Sequence, residues 1–240
     1  MAQLICRYRK GEEIRWISHL DLKRTLERAM RRAELPLALT QGHNPHPRVS
    51  FGPPLPMGAT GEGELLAIQL DQAMSPGEVK ERLNKQLPPG LEIVEVWAAP
   101  PHKKRETLGE VDVAEYRIIV TGEVDGEEVS AGVEGLLAAE ALIVQRGGER
   151  PEREVDVRPL ILSLRVARAE PGEVELQARL KTGSHGGARP QEIVSLLGLE
   201  DERRVARYHR VGLHASAQVR APRAGVMRRW KRSRSSGERS

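Results

Sequence analysis

The sequence predicts an α+β fold in which a β-α-β-β-α-β order of elements occurs twice in tandem. Three observations point there. Short apolar stretches alternate with polar residues at period two, as half-buried strands do. Two capped amphipathic segments fall between such stretches in the first hundred residues. The same order then recurs, with one extra strand, after residue 113.

The first half begins with alternating residues 3–9, a turn at Lys10–Glu13, and a helix entered at Ser18. Asp21 stands in the capping-box position behind Ser18, and Leu22, Leu26, Ala29, Met30 and Ala33 recur at helical spacing. Pro36 ends regular structure. A strand starts at Arg48–Phe51, a turn-rich connection covers residues 52–63, and Glu64–Leu70 is strand-like again. Ser75-Pro76-Gly77-Glu78 opens a second helix that stops before Pro88-Pro89-Gly90, with Pro at its first position. Leu91–Trp97 alternates and closes the unit. In the second half the expected order is a strand at Tyr116–Thr121, a helix from about Glu127 to Glu140, and a strand at Leu142–Gln145. Strands at Val155–Val166 and Val174–Leu180 then flank a turn at Glu170-Pro171-Gly172. A helix at Pro190–Leu197 and a last strand at Arg204–Leu213 complete it. This is the split, ferredoxin-like arrangement in tandem, with expected boundaries at 1–99, a linker at 100–113, a second unit at 114–220 and a tail at 221–240.

Charge is unevenly placed. The 240 residues carry a formal +4, but residues 221–240 hold seven Lys/Arg against Glu238 alone, leaving 31 basic and 33 acidic residues elsewhere. A nearly neutral body thus ends in a Ser/Arg-rich tail expected to be disordered and to attract polyanions. Aromatic residues are only 3% of the chain, so the cores must be aliphatic. No apolar stretch is long enough to span a membrane, and the N-terminus has no secretory h-region, so a cytoplasmic location is expected. One cysteine, Cys6, allows no intramolecular disulfide and no multi-thiolate metal site.

The functional residues are expected between Ser18 and Ser50. Arg24, Arg28 and Arg32 follow at four-residue steps, with Arg31 and Lys23 nearby, so one outward helix ridge carries guanidinium groups able to grip phosphates. The competing interpretation is a solvated face in which Glu27 pairs with Lys23 and Arg31. The following loop collects Gln41, Gly42, His43, Asn44, His46, Arg48 and Ser50. Gly42 and Asn44 suit positive φ, and the histidines could be ligands, acid–base groups or stacking rings. A His-x-x-His pair alone is a poor zinc signature, so neither metal nor cofactor is expected. His19 joins the candidate ligand set from the helix start, and Asp21 and Glu64 are better read as a cap and a strand-start charge than as general bases. The glycine-rich stretch 181–189, flanked by Lys181 and Arg189, precedes a helix and could bring backbone N–H groups to an anion.

The block from residue 10 to 64 resembles the radical SAM-linked protein family, small domains fused to or encoded beside cobalamin-binding radical SAM proteins. The matching signature is SHLDLxR, RAxRRAxLP, QGxNPHPxxSFxxPLPxG and GEGE. The resemblance implies a radical SAM protein as partner, since this chain lacks a cysteine triad for a cluster of its own. A second, architectural similarity is to the RAMP superfamily of CRISPR RNA-processing proteins. The expected function is therefore an accessory protein that binds RNA, or another phosphate-bearing ligand, and presents it to a radical SAM partner. The alternatives are a RAMP-like, metal-independent endoribonuclease using His19 or His46, and a protein–protein adaptor. Oligomeric state is not legible.

Overall fold

The structure, a computed structural model, describes residues 2–99, 108–147, 152–183 and 186–215. Most of the expected linker, the expected basic tail and His185 lie outside them. The chain is α+β. The first half runs β1 (Ala2–Lys10), α1 (His19–Arg32), β2 (Val49–Phe51), β3 (Thr60–Leu70), α2 (Pro76–Asn84) and β4 (Leu91–Ala98). The second runs β5 (Val113–Gly122), α3 (Gly126–Ala138), β6 (Ile143–Arg146), β7 (Arg153–Asp156), β8 (Ile161–Glu170), β9 (Glu173–Lys181), α4 (Pro190–Leu196) and β10 (Arg204–His214).

Eight strands form one mostly antiparallel sheet in the order β4-β1-β3-β10-β5-β9-β8, with β2 beside β3. Period two decides which residues it buries. Leu4, Cys6 and Tyr8 of β1 and Leu66, Ile68 and Leu70 of β3 share a core with Leu22, Leu26 and Met30 of α1 and Val79 and Leu83 of α2. In the second half Tyr116, Ile118 and Val120 of β5 pack with Val174, Leu176 and Leu180 of β9, Val129 and Val133 of α3, and Ile193 and Val194 of α4.

The halves are joined where β3 and β10 run parallel, with His209 opposite Thr60 and Arg210 opposite Gly61. β2 uses the same edge of β3 further along, where Val49 faces Ile68 and Phe51 faces Leu66.

Two expectations need correction. Residues 155–166 are not one strand: Pro159, which has no N–H to give to a ladder, sits in a 3-10 turn at Arg158–Leu160 between β7 and β8. The Asp156 carboxylate fixes this break by accepting from the backbone N–H of Leu142 at 2.9 Å and of Arg158 at 3.0 Å. β6 therefore pairs with β7 as a separate ribbon outside the main sheet. The turn-rich connection also ends earlier than expected, because Gly61 and Gly63 belong to β3. A Cβ on Gly63 would stand 2.8 Å from the carbonyl oxygen of Val211, so this glycine admits a neighbouring backbone and makes no turn.

Candidate nucleic-acid interface

The Ser18 hydroxyl accepts from the Asp21 N–H at 3.1 Å and starts α1. Burial of Leu22, Leu26, Ala29 and Met30 against the sheet then sets the helix rotation. Arg24, Arg28, Arg31 and Arg32 are left exposed. Their charge is barely neutralised. Arg24 lies 3.7 Å from Asp21 with both side chains open to solvent, a pairing of little strength. Arg28 donates to the Arg24 carbonyl and Arg32 to the Gln86 carbonyl, each at 3.3 Å. Among the described residues Glu27 makes no ion pair with Lys23 or Arg31. The pairing that would turn the ridge into an ordinary solvated face is therefore not formed.

At the foot of α1, the His19 ring meets Phe51 edge-on with centroids 6.1 Å apart. The Lys23 ammonium sits 5.3 Å from the centroid of the same ring. Partial burial, then the positive charges of Lys23 and Arg210, hold the His19 pKa below its ordinary value. The imidazole is thus neutral at physiological pH.

The loop after α1 becomes a protrusion from the sheet edge. Leu37 bridges to Leu70, and the Ala38 N–H donates to Gln69 O at 2.9 Å. Leu39 and Pro47 then bridge across the base of the loop. Thr40 closes it twice: its N–H donates to His46 O at 2.8 Å, and its hydroxyl accepts the His46 N–H at 3.0 Å. Arg48 Nε donates to Leu39 O at 3.0 Å, so this arginine braces the base. Gln41, Gly42, His43, Asn44 and His46 are exposed at or near the tip. Gly42 has φ +132°, but Asn44 does not adopt the positive φ expected of it. Ser50 alternates with Val49 and Phe51, which pack toward α1, and so it faces the other side of the sheet.

His19 and the protrusion stand at different ends of α1. The protrusion leaves at Gln69, near the C-terminal end of β3, whereas His19 begins α1, a helix of 14 residues and about 20 Å. Lys181 and Arg189 lie in the second half. The entrance to α4 is filled by the chain itself: Glu192 accepts the Arg189 N–H at 2.8 Å and pairs with Arg146 at 2.7 Å. Arg146 also donates to Gly187 O at 2.7 Å. That guanidinium arrives from β6, a contact that the glycine pattern could not announce.

A buried polar cluster at the β3–β10 seam escaped the sequence reading. Arg210 is 0% and Glu64 2% exposed. Arg210 Nε donates to the Glu64 carboxylate at 2.7 Å, and Nη2 donates to its second oxygen. The remaining donors reach Pro53 O at 2.8 Å, Pro54 O at 3.2 Å and the Tyr116 hydroxyl at 3.4 Å. Burial opposes the guanidinium charge, but the field and hydrogen bonds of Glu64 outweigh it and raise the Arg210 pKa. Lys10, beside the pair, donates to Arg15 O at 2.7 Å, and burial lowers its pKa. On the same seam the Thr60 hydroxyl and His209 Nδ1 are 2.8 Å apart, and His209 Nε2 lies 3.6 Å from Glu62. The GEGE motif is thus seam architecture: Gly63 admits a neighbouring backbone, Glu62 faces His209 and Glu64 neutralises Arg210. The signal available beforehand was that two glycines alternating with two acids fit a close-packed strand better than a turn.

Among the described residues no cluster of three or more His, Cys, Asp or Glu is spaced to hold a metal ion, and no helix is long and apolar enough to cross a membrane.

The fold and surface define an α+β protein with one continuous, mostly antiparallel sheet and an arginine-rich helix exposed upon it. It belongs to the family described as an uncharacterized protein conserved in bacteria (DUF2344), whose model matches residues 3–190. None of the curated proteins matches the chain. Among solved structures it is similar to a chain of a Cbf5-Nop10-Gar1 complex, with TM-score 0.49 and 9% identity over 88% of this chain and 49% of that one. A chain of an H/ACA RNP bound to a substrate RNA containing 2'-deoxyuridine gives TM-score 0.44 and 8% identity, over 86% of this chain and 46% of that one. An unknown protein from Galdieria sulphuraria gives TM-score 0.25 and 15% identity, over 88% and 98%. The chain spans about half the length of the first two.

Proposed function

We propose that this protein is a cytoplasmic accessory factor that binds RNA through the exposed face of α1, with the Leu39–Pro47 protrusion as a second contact, and presents it to a radical SAM partner. One observation carries the RNA reading: Arg24, Arg28, Arg31 and Arg32 stand exposed on one helix, and among the described residues Asp21, 3.7 Å from Arg24, is the one carboxylate in an ion pair with any of them. Unneutralised guanidinium groups in a row form the electrostatic footprint of a phosphate backbone. The basic tail adds affinity without sequence preference. The partner rests on the resemblance of the Ser18–Glu64 block to radical SAM-linked domains. The scaffold is read as two ferredoxin-like halves divided between residues 99 and 114, a reading supported by the strand orders β4-β1-β3-β2 and β10-β5-β9-β8.

The test is fluorescence anisotropy of labelled RNA with the full chain and with a chain ending at residue 220. Both should bind, and Arg24→Ala/Arg28→Ala should weaken both. If the shortened chain has no affinity at all, the helix is not the site. Cleavage of the bound RNA without metal, lost in His46→Ala, would replace the accessory role by an endoribonuclease.

A further inference from the structure

We propose that the N-terminal end of the arginine row is a stacking site for an unpaired base, so that the RNA taken by α1 is single-stranded; this rests on the RNA-binding reading above. Along one face of α1, Leu20, Arg24, Arg28 and Arg32 follow at four-residue steps, which place them one above another. Trp16 lies outside this repeat, in the turn ahead of the Ser18 cap at the N-terminal end of α1. The exposed surface therefore changes character along the helix. It is cationic toward the C-terminus and apolar at the foot, where Trp16 is 66%, Leu20 55% and neighbouring Met57 59% exposed.

The indole is held in place. The Arg15 guanidinium lies 5.1 Å from its ring centroid and is itself fixed by Glu12 at 2.6 Å. Gly58 sits against the benzo edge, where a Cβ would come 2.7 Å from Cζ3, and its N–H donates to Arg15 O at 3.0 Å. A tryptophan this exposed lends almost nothing to the core. An oriented aromatic ring with a guanidinium beside it and a run of cations beyond is what a single strand requires: a π-face for one base and charges for the phosphates that follow. Bases inside a duplex have no free face to offer such a ring.

Anisotropy of the full chain with a labelled oligouridylate and with a blunt-ended RNA duplex separates the possibilities. Trp16→Ala should weaken the oligouridylate about tenfold, the effect of one lost base stack, while leaving the duplex affinity and the salt slope unchanged. Trp16→Phe should restore most of the loss. Equal weakening of both RNAs, or none, overturns the stacking site while leaving ridge-dependent binding standing. If the unaltered chain binds neither RNA, the RNA-binding reading fails first, and the apolar foot is then a protein-docking surface.

Discussion

Replacing Glu64 by glutamine tests how the two halves are held together. The substitution keeps shape and removes the counter-charge of a guanidinium with no solvent access. Arg210 would retain the carbonyls of Pro53 and Pro54 and the Tyr116 hydroxyl, at 2.8, 3.2 and 3.4 Å. It would lose both charge-assisted bonds to Glu64, and the new amide would turn a donor toward a donor. Removing one member of a buried pair costs about 3–5 kcal/mol, because the other charge stays buried without compensation. For a protein stable by about 5–15 kcal/mol this is a large fraction of the total. With a urea m-value of about 3 kcal/mol/M the midpoint should fall by about 1–1.7 M. The assay is urea unfolding followed by far-UV circular dichroism. The double variant Glu64→Leu/Arg210→Met should recover much of the loss, since an apolar pair of similar volume replaces an ion pair at little cost. A single-variant loss under about 1 kcal/mol, or a double variant as unstable as the sum of its singles, would refute the assignment of the pair as the seam's electrostatic lock.

Further predictions concern the seam, the core and pH. Gly63→Ala should destabilise by about 1–3 kcal/mol, because its Cβ meets backbone at 2.8 Å. Gly77→Ala in α2, with nothing within 4 Å of its Cβ, should stabilise by about 0.5–1 kcal/mol, and urea midpoints compare the two directly. Burial pushes the Cys6 thiol up to about 12, so iodoacetamide should leave it unmodified in the folded protein and label it in urea; rapid labelling without denaturant would contradict its place in the core. Burial first, with Lys23 at His19 and Arg117 at His209, holds both imidazole pKa values below the unfolded value of 6.5. At low pH the unfolded chain takes up these protons before the native one does. Stability should therefore be flat with respect to these groups above about pH 6.5 and decline as pH falls from there toward the lowered native values. His209→Gln should flatten the decline, measured as urea midpoint against pH.

The sequence made much of the first half legible because its signals are local. Ser18 and Ser75 cap their helices through their own side chains, and Leu22, Leu26 and Met30 face the core at the period that marked them. Long-range contacts were not legible. Arg210 lies 146 positions from Glu64, so the alternation in GEGE could suggest a close-packed strand but not the partner of its second acid. Likewise Arg146 and Glu192, 46 positions apart, meet across the glycine-rich stretch and occupy the helix entrance that glycines alone advertised as an anion site. The arginine row was visible because helical periodicity alone fixes its common face. The protrusion was visible as an irregular stretch, but not as one leaving the sheet at Gln69, because that depends on which strand pairs with residue 38. Trp16 could not be told from a core residue by its spacing, and it is its exposure in the fold that sets it apart.

The central claim is that exposed guanidinium groups of α1 contact phosphates. It is tested most directly by the salt dependence of affinity for a single-stranded RNA, comparing the full chain with Arg24→Ala/Arg28→Ala between 50 and 300 mM KCl. Each phosphate contact on a single strand contributes about 0.7 to the slope of log K against log salt, so losing two should make the slope shallower by about 1.4. A variant that binds with the unaltered slope and affinity would contradict the account.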